Sequence, residues 1–462
     1  MTTLIGEAVA AMAVGLLLFV AAVRWPGWMS LGCITVAACY DLFNAGTTAI
    51  NIGVSIYLLD LACIALVGIA LLHLARYPST FPLDAYPCIA LFVLLALNFA
   101  RGVALYGPKE AGNMSRNLFF FVAPALALML LRPVLSLHAE RLVNLVVWSG
   151  LCLTAVALLR WTHVLPVISE TWDGFREVPR VLPSDYAIPV GLAFIAAGYR
   201  AMAERKGSIW WMTAGLLGGV TLALQHRSVW VATILGFAWL VLRTLRRMSP
   251  LRLAGIALSG ILGLGIITVA TPKMLNTVDT LLTSNIRETE KSDSTWEWRV
   301  RGYDEAYERL LHSDLTDILV GPPAGVVDNS GGSYASRHIH SRYVDTFANY
   351  GIVGLVTLLL WFTLLWRRLR SAHAAAKGKR RVDASVCLEA LFIAEVIYLI
   401  PYFGGVAEGS FLGLLWVAAQ RREVATLAQV SRARGYLFRS RQDAFGRRSG
   451  DDWVKQSGLQ GR

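Results

Sequence analysis

Long apolar runs constrain the fold of this 462-residue chain more than any other feature. Runs of about 17 to 25 residues recur through most of its length, and an α-helix of that length crosses the hydrocarbon core of a bilayer. Hydrophobic residues make up 55% of the chain and charged residues only 16%, against roughly 25% charged residues in an ordinary soluble domain. A soluble fold is therefore excluded.

Hydropathy along the chain predicts about thirteen membrane spans. The first run has no basic residue before it and no small-residue cleavage site after it, which indicates a retained span rather than a signal peptide. The predicted class is an all-α polytopic membrane protein with about 12–13 transmembrane helices and one large outside loop that carries short helices. The spans lie near residues 4–23, 28–47, 51–73, 87–103, 117–131, 141–161, 185–201, 210–225, 228–242, 253–270, 351–366, 384–401 and 403–419.

Lysine and arginine predict the orientation of the spans, because short basic loops stay on the cytoplasmic side. Basic clusters near 243–252, 367–381 and 421–448 are placed inside. The chain then divides into residues 1–270 with ten spans, an outside loop at 271–350, further spans at 351–423, and a basic cytoplasmic tail. We expect this tail, residues 424–462, to be disordered. The same alternation places 104–116, 162–184 and the turn at 225–228 outside.

The net charge of +12 does not predict nucleic-acid binding. Its excess lies in the inside loops and the tail, where topology and anionic lipid headgroups account for it. There is no fixed-period repeat and no inverted pair of broken helices, which argues against a secondary transporter. The cysteines show no metal-ligand spacing.

The outside loop has internal structure. Helical spacing of apolar residues predicts an amphipathic helix from about Arg301 to Asp314, followed by a turn at 321–325 and a flexible link at 329–333. The residues expected on one face of this helix are Tyr303, Ala306, Tyr307, Leu310 and Leu311.

Several polar residues gather at the outer face of the predicted bundle. Arginines there oppose the usual charge bias and so need another reason. A guanidinium presents a planar fork of donors that matches phosphate oxygens, and a nearby histidine is a candidate general base. These residues are Arg116, Arg180, Arg227, Arg299 and His340.

Other roles fit the same residues. Arg227 could anchor the helix by reaching the lipid headgroups, and Arg299 could pair with Glu297 or Asp304 in solvent. His340 could be an inert interfacial histidine, and His338 is only two positions away.

A spaced motif leads into the eleventh span. His340 is followed by Val344 four positions on, then by Gly351 and Gly354 eleven and fourteen positions on. The segment 340–354 resembles the signature of the O-antigen ligase and O-antigen polymerase superfamily of bacterial membrane glycosyltransferases. That register selects His340 over His338. Ser341 stands where the family usually has asparagine.

Two further segments resemble the family in their order along the chain and in their predicted side of the membrane. Arg299, with Tyr303 four residues later and then Gly321-Pro322, is similar to the family's loop pattern. The segment 225–230 is similar to its arginine at the outer start of a mid-chain span, with His226 in place of the usual serine. The resemblance extends over about 220–366.

The resemblance implies a GT-C type glycosyltransferase of the bacterial inner membrane with its site facing the periplasm. It implies transfer of an undecaprenyl-pyrophosphate-linked oligosaccharide to a sugar hydroxyl. His340 would accept the proton of that hydroxyl, while Arg227 and Arg299 would hold the diphosphate in place of a metal ion. No metal and no cofactor are expected. The further residues expected to bind substrate are Arg116, Arg180, Arg301 and Tyr343.

Two activities fit this resemblance. A polymerase of O-antigen or exopolysaccharide repeats is favoured, because the basic tail and the atypical residue beside His340 depart from the ligase pattern. A ligase acting on lipid A core or on a protein is the alternative. Expected partners are the lipid-linked donor, the glycan or lipid A core acceptor, membrane lipids and polysaccharide assembly proteins. A transporter or flippase is the competing class, with Asp41, Asp60, Arg101 and Glu395 as residues that could line a path.

Overall fold

The computed structural model describes residues 20–44, 48–51, 55–78, 81–135, 137–166, 181–204, 207–245, 302–304, 306–308, 312–325, 340–375 and 383–419. All of these belong to a unit bounded by Met1–Ala419, and a second unit, Gln420–Arg462, lies outside the described residues. The predicted span 253–270 and most of the span 4–23 also lie outside them.

Helices make up nearly all of the described residues. They are α1 Pro26–Asn44, α2 Leu58–Arg76, α3 Tyr86–Tyr106, α4 Pro108–Leu130, α5 Arg132–Leu135, α6 Ala139–Trp161, α7 Ser184–Ala203, α8 Ser208–Ala223, α9 Arg227–Thr244, α10 Leu315–Val320, α11 Arg342–Ala375, α12 Ala384–Tyr398 and α13 Val406–Ala418. A 3₁₀ turn covers Leu83–Ala85, and a short antiparallel hairpin pairs β1 Thr48–Asn51 with β2 Ser55–Tyr57.

Six of the described helices, α2, α3, α4, α6, α7 and α11, are long and apolar enough to cross a membrane. Two more, α8 and α13, are shorter apolar helices. Helices satisfy their own backbone hydrogen bonds, which the bilayer core requires. The protein is an all-α polytopic membrane protein, as hydropathy predicts.

The start of α4 differs from the prediction. Hydropathy places a span at 117–131, but the helix begins at Pro108, directly after Gly107 with φ 87°. Proline fits the first position of a helix, because its fixed φ is already helical. The residues between Pro108 and the apolar run are polar, so a hydropathy window does not detect that they belong to the helix. Arg116 therefore lies inside α4 rather than at its start.

Helices α4 and α13 approach each other closely although they are far apart in sequence. A side chain at Gly409 would collide with the carbonyl of Phe121, and one at Gly413 would lie 3.0 Å from the Cα atom of Ala125. Small residues four positions apart allow such contacts between membrane helices. The close packing fixes the start of α13 beside α4.

The described membrane helices run in both directions, so the bundle has two ends. At the end that carries His340, which we call the histidine end, α3, α6, α8 and α12 finish while α4, α7, α9, α11 and α13 begin. At the opposite end, which we call the basic end, Asp84 contacts Arg132 at 3.3 Å and also pairs with Arg368. Arg200 lies 2.9 Å from Glu140 at the same end.

Candidate functional site

His340 lies immediately before α11 and is half-buried. Its ring centroid is 5.3 Å from that of Phe403, with the two planes inclined at 42°. Phe403 belongs to the segment that joins α12 to α13, residues 399–405, which we call the 399–405 turn. The imidazole is therefore placed by a segment some sixty residues away in sequence as well as by its own helix.

Ser341 is buried, and its Oγ lies 3.5 Å from the amide nitrogen of Val344. That is the position from which a side chain caps the first turn of a helix. Asparagine and serine are about equally good at this position. Helix geometry thus explains how serine stands where the family usually has asparagine.

Arg342 is fully buried and ties the start of α11 to the 399–405 turn. Its Nε donates to the carbonyl of Phe403, and its Nη2 donates to the carbonyls of Gly404 at 2.7 Å and Asn117 at 3.1 Å. Asn117 lies in α4, so one guanidinium joins three parts of the bundle. The sequence motif contains Arg342 but does not single it out.

A short polar chain continues from Arg342 along α11. The Nη1 atom of Arg342 is 3.1 Å from Asp345 Oδ2, and Asp345 Oδ1 accepts a 2.8 Å hydrogen bond from Asn349. The guanidinium also lies over the ring of Phe121 at 4.6 Å. A buried charge is tolerated when it is paired and hydrogen-bonded, and these contacts meet that condition. The i, i+3 spacing of arginine and aspartate before an apolar run is the signal that could have identified the pair.

The loop segment containing α10 is held on α3 by polar contacts. Asn98 donates to the carbonyl of Val320 at 2.7 Å. Arg101 donates to the carbonyl of Gly321 at 2.9 Å and pairs with Asp317 at 3.1 Å. Arg101, one of the residues that could line a transport path, thus secures a loop.

The motif glycines allow α10 to pack against a kink in α11. Gly351 has φ 64° inside the helix, a conformation that favours glycine. A Cβ atom there would lie 2.5 Å from the carbonyl carbon of Leu319, and one at Gly354 would lie 2.5 Å from the Cβ of Tyr350. Gly321, with φ 83°, leaves no room for a side chain beside Tyr350. Gly351 and Gly321 therefore allow the backbone contact between the loop and the histidine segment, while Gly354 makes room for Tyr350 within α11 itself.

The amphipathic helix expected at 301–314 is described at 302–304 and 306–308, which are helical, and at 312–314, which are not. Ala306 is buried and packs on Ala348 of α11. Tyr307, the next residue along the helix, is 60% exposed. Leu310 and Leu311 lie outside the described residues. Packed around the two alanines are Tyr303, Val344 and Phe403.

Arg227 is the first residue of α9 and is half-buried. The preceding residue, His226, is buried, with its Nε2 2.9 Å from the carbonyl oxygen of Leu182. Arg160, at the end of α6, is also buried and donates to the carbonyl of Val181 at 2.7 Å. These contacts bring the end of α6 and the starts of α7 and α9 together. The sequence analysis does not single out Arg160. The signal was present, because Arg160, like Arg227, is an arginine at the outer end of an apolar run.

Residues 212–359 match the family model described as O-Antigen ligase. The match contains α9, α10, His340 and the first half of α11. This match, which we call the ligase-family segment, supports the O-antigen ligase and polymerase superfamily. The resemblance drawn from the histidine motif is confirmed, and the family supports a membrane glycosyltransferase-like function. No curated protein matches the chain.

Arg116 lies outside the ligase-family segment, and its guanidinium makes contacts within the protein. Its Nε lies 3.1 Å from Asp60 Oδ1, its Nη2 donates to the carbonyl of Ser55 at 2.8 Å, and its guanidinium lies over the ring of Tyr57. Arg116 thereby joins α4 to α2 and the hairpin. Its partner Asp60 is another of the residues that could line a transport path.

Inside the ligase-family segment, Tyr343 faces α12. Its hydroxyl donates to the carbonyl of Val396 at 3.0 Å, and its ring meets Phe362 edge-on. The hydroxyl contact holds the first part of α11 on α12, and the ring contact joins the two parts of α11 across the kink at Gly351. The remaining expected site residues, which are Arg180, Arg299 and Arg301, lie outside the described residues, as does His338.

Two acidic side chains are buried beside the 399–405 turn. Glu408 Oε2 accepts a 2.5 Å hydrogen bond from the amide of Gly405, which is the one half of a capping box that a glycine allows. Glu395 lies within electrostatic range of Glu408, and its Oε1 has no hydrogen-bond partner among the described residues. Over the same part of the chain, no three His, Cys, Asp or Glu side chains are placed to hold a metal ion.

Proposed function

We propose that the protein is a bacterial inner-membrane glycosyltransferase that moves an undecaprenyl-pyrophosphate-linked oligosaccharide onto a sugar hydroxyl at the periplasmic face. The observation that carries this proposal is His340, which lies within the ligase-family segment at the start of a membrane helix. A polar, half-buried residue at the end of a membrane helix can meet both a lipid-linked donor and the sugar of an acceptor. The tail 424–462 then lies in the cytoplasm.

The proposed reaction is a single displacement at the anomeric carbon. His340 accepts the proton of the acceptor hydroxyl while the oxygen of that hydroxyl bonds to the anomeric carbon. The bond from the anomeric carbon to the pyrophosphate oxygen breaks, and undecaprenyl pyrophosphate leaves with the electron pair. Arg227 and Arg299 hold the diphosphate and stabilise the charge that develops on it.

The expected substrate-binding residues now separate into two groups. Arg180 and Arg301 remain candidates for contact with the phosphates or sugars. Arg116 and Tyr343 use their polar atoms on Asp60 and on the backbone of α12, so we assign them a supporting role in the fold.

Polymerisation of O-antigen or exopolysaccharide repeats is the activity we favour, with ligation to lipid A core or to a protein as the alternative. The serine at position 341 does not help to choose between these activities, because its place at the start of α11 explains why serine can replace asparagine there. The basic tail is the remaining reason. Glycan analysis of a deletion strain separates the two: loss of a polymerase leaves single repeats attached, whereas loss of a ligase leaves long chains unattached.

Replacement of His340 by alanine is the direct test. We expect His340→Ala to abolish glycan transfer in a complementation assay, while the protein still accumulates in the membrane. His338→Ala is the matched control and should keep most of the activity. Normal polymer from the His340→Ala strain would contradict the general-base role, and equal loss from both variants would remove the reason for choosing His340.

A further inference from the structure

We propose that Arg342 is a positioning residue for His340, acting through Phe403. The guanidinium fixes the 399–405 turn, and the ring of Phe403 on that turn sets the orientation of the imidazole. This inference rests on the proposed role of His340 and identifies the residue that keeps the base in place.

The contacts of Arg342 show how firmly it is held. All three guanidinium nitrogens have partners: Nε bonds to Phe403, Nη1 to Asp345, and Nη2 to Asn117 and Gly404. A planar fork of donors reaches these acceptors at once, which the point charge of lysine cannot do.

The backbone of Arg342 reinforces the same link. Its amide donates to the carbonyls of Leu399 at 3.1 Å and Tyr402 at 3.0 Å. Both acceptors belong to the 399–405 turn. The start of α11 and this turn therefore move as one unit, two residues after His340.

Phe403 connects this unit to the imidazole. Its carbonyl accepts from Arg342, and its ring lies against His340. The same ring borders the contact between Ala306 and Ala348. Displacement of the turn would therefore shift the imidazole and loosen the loop helix together.

A general base must lie within hydrogen-bond reach of the proton that it removes. A misplacement of about 1 Å can cost roughly 10²-fold in rate. Loss of positioning should therefore reduce glycan transfer while the imidazole remains present, and it should change how a reagent reaches that imidazole.

The experiment measures the reactivity of His340 directly. Full-length protein in detergent is treated with diethylpyrocarbonate, and carbethoxylation of individual histidines is followed by mass spectrometry. We expect Phe403→Leu to raise the modification rate of His340 several-fold and to lower glycan transfer about 10²-fold. His163, which is exposed in the loop after α6, should react at the wild-type rate. Phe411→Leu in α13 is the matched control and should leave both histidines unchanged.

Two further variants test the link from Arg342 to the ring. Arg342→Lys should raise the reactivity of His340 as Phe403→Leu does. Asp345→Asn keeps the side-chain size and removes the counter-charge, so it should give a smaller change of the same sign even if Arg342→Lys fails to accumulate.

The proposal is wrong if Phe403→Leu leaves His340 at the wild-type rate, if neither Arg342→Lys nor Asp345→Asn raises that rate, or if His163 becomes equally reactive. Because this readout needs no glycan transfer, it is independent of the proposed function. Activity in His340→Ala would refute the general base without changing the reactivity result.

Discussion

Arginine occurs at the histidine end in two kinds of surroundings. Arg342 and Arg160 are buried and bonded to backbone carbonyls, so they hold chain segments together. Arg227 begins a helix and is only half-buried. The residue type and the end of the bundle are the same in each case. Only the local packing distinguishes a structural arginine from a candidate phosphate ligand.

Lysine substitution separates these roles at Arg227. If Arg227 binds the diphosphate, Arg227→Lys keeps the charge but loses the forked geometry, and we expect a loss of roughly 10²-fold in transfer rate. The assay is glycan transfer at matched protein levels. Arg116→Lys is the control, because lysine can still pair with Asp60. Near-normal transfer by Arg227→Lys would indicate an interfacial anchor instead.

The same contrast shows how far the sequence predicts the site. The motif identifies His340 and its glycines, because their spacing is preserved in a single segment. It does not identify Arg342 as a structural centre, since its partners at Asn117 and Phe403 are distant in sequence. Contacts between remote segments leave no local pattern.

At the level of helices, the sequence predicts position better than shape. The predicted span 141–161 corresponds to Ala139–Trp161, and 185–201 to Ser184–Ala203, because apolar length directly reflects burial in lipid. The kink at Gly351 was not predicted, although the glycine itself was part of the motif. A positive φ depends on the backbone packed against it, here that of α10.

Alanine at Gly351 should disturb this contact. Its φ of 64° disfavours a side chain, and a Cβ atom would lie 2.5 Å from Leu319. We expect Gly351→Ala to cost about 1–3 kcal/mol of stability and to lower glycan transfer. Thermal unfolding of the purified protein measures the first effect. Gly68→Ala is the control: it lies in α2 with nothing within 4 Å of the added atom. If both variants unfold at the wild-type temperature, the kink does not need glycine.

Across the whole bundle, pairs of arginine and carboxylate side chains mark the basic end. This end carries Arg132, Arg200 and Arg368, each with an acidic partner. The positive-inside rule favours a cytoplasmic position for it, and the proposed function requires the histidine end to face the periplasm, where a flipped lipid-linked donor would be found.

Cysteine labelling tests that orientation. In a cysteine-free background, cysteines introduced at Ser330 and Ser371 should react with an impermeant thiol reagent from opposite sides of the inner membrane. Ser330→Cys should react in cells with a permeable outer membrane, and Ser371→Cys only after the inner membrane is broken. The reverse pattern would place His340 in the cytoplasm, away from the proposed donor.

The 399–405 turn also determines when the site can exist during biosynthesis. Phe403 and Gly404 are translated after every helix from α1 to α12, and α13 must still enter the membrane to pack on α4. A nascent chain that has inserted α11 already carries His340 but lacks the ring of Phe403. The ribosome therefore completes α1 to α12 before Phe403 can reach the histidine, and a chain that stops short of residue 399 contains the whole ligase-family segment without the turn that positions the histidine.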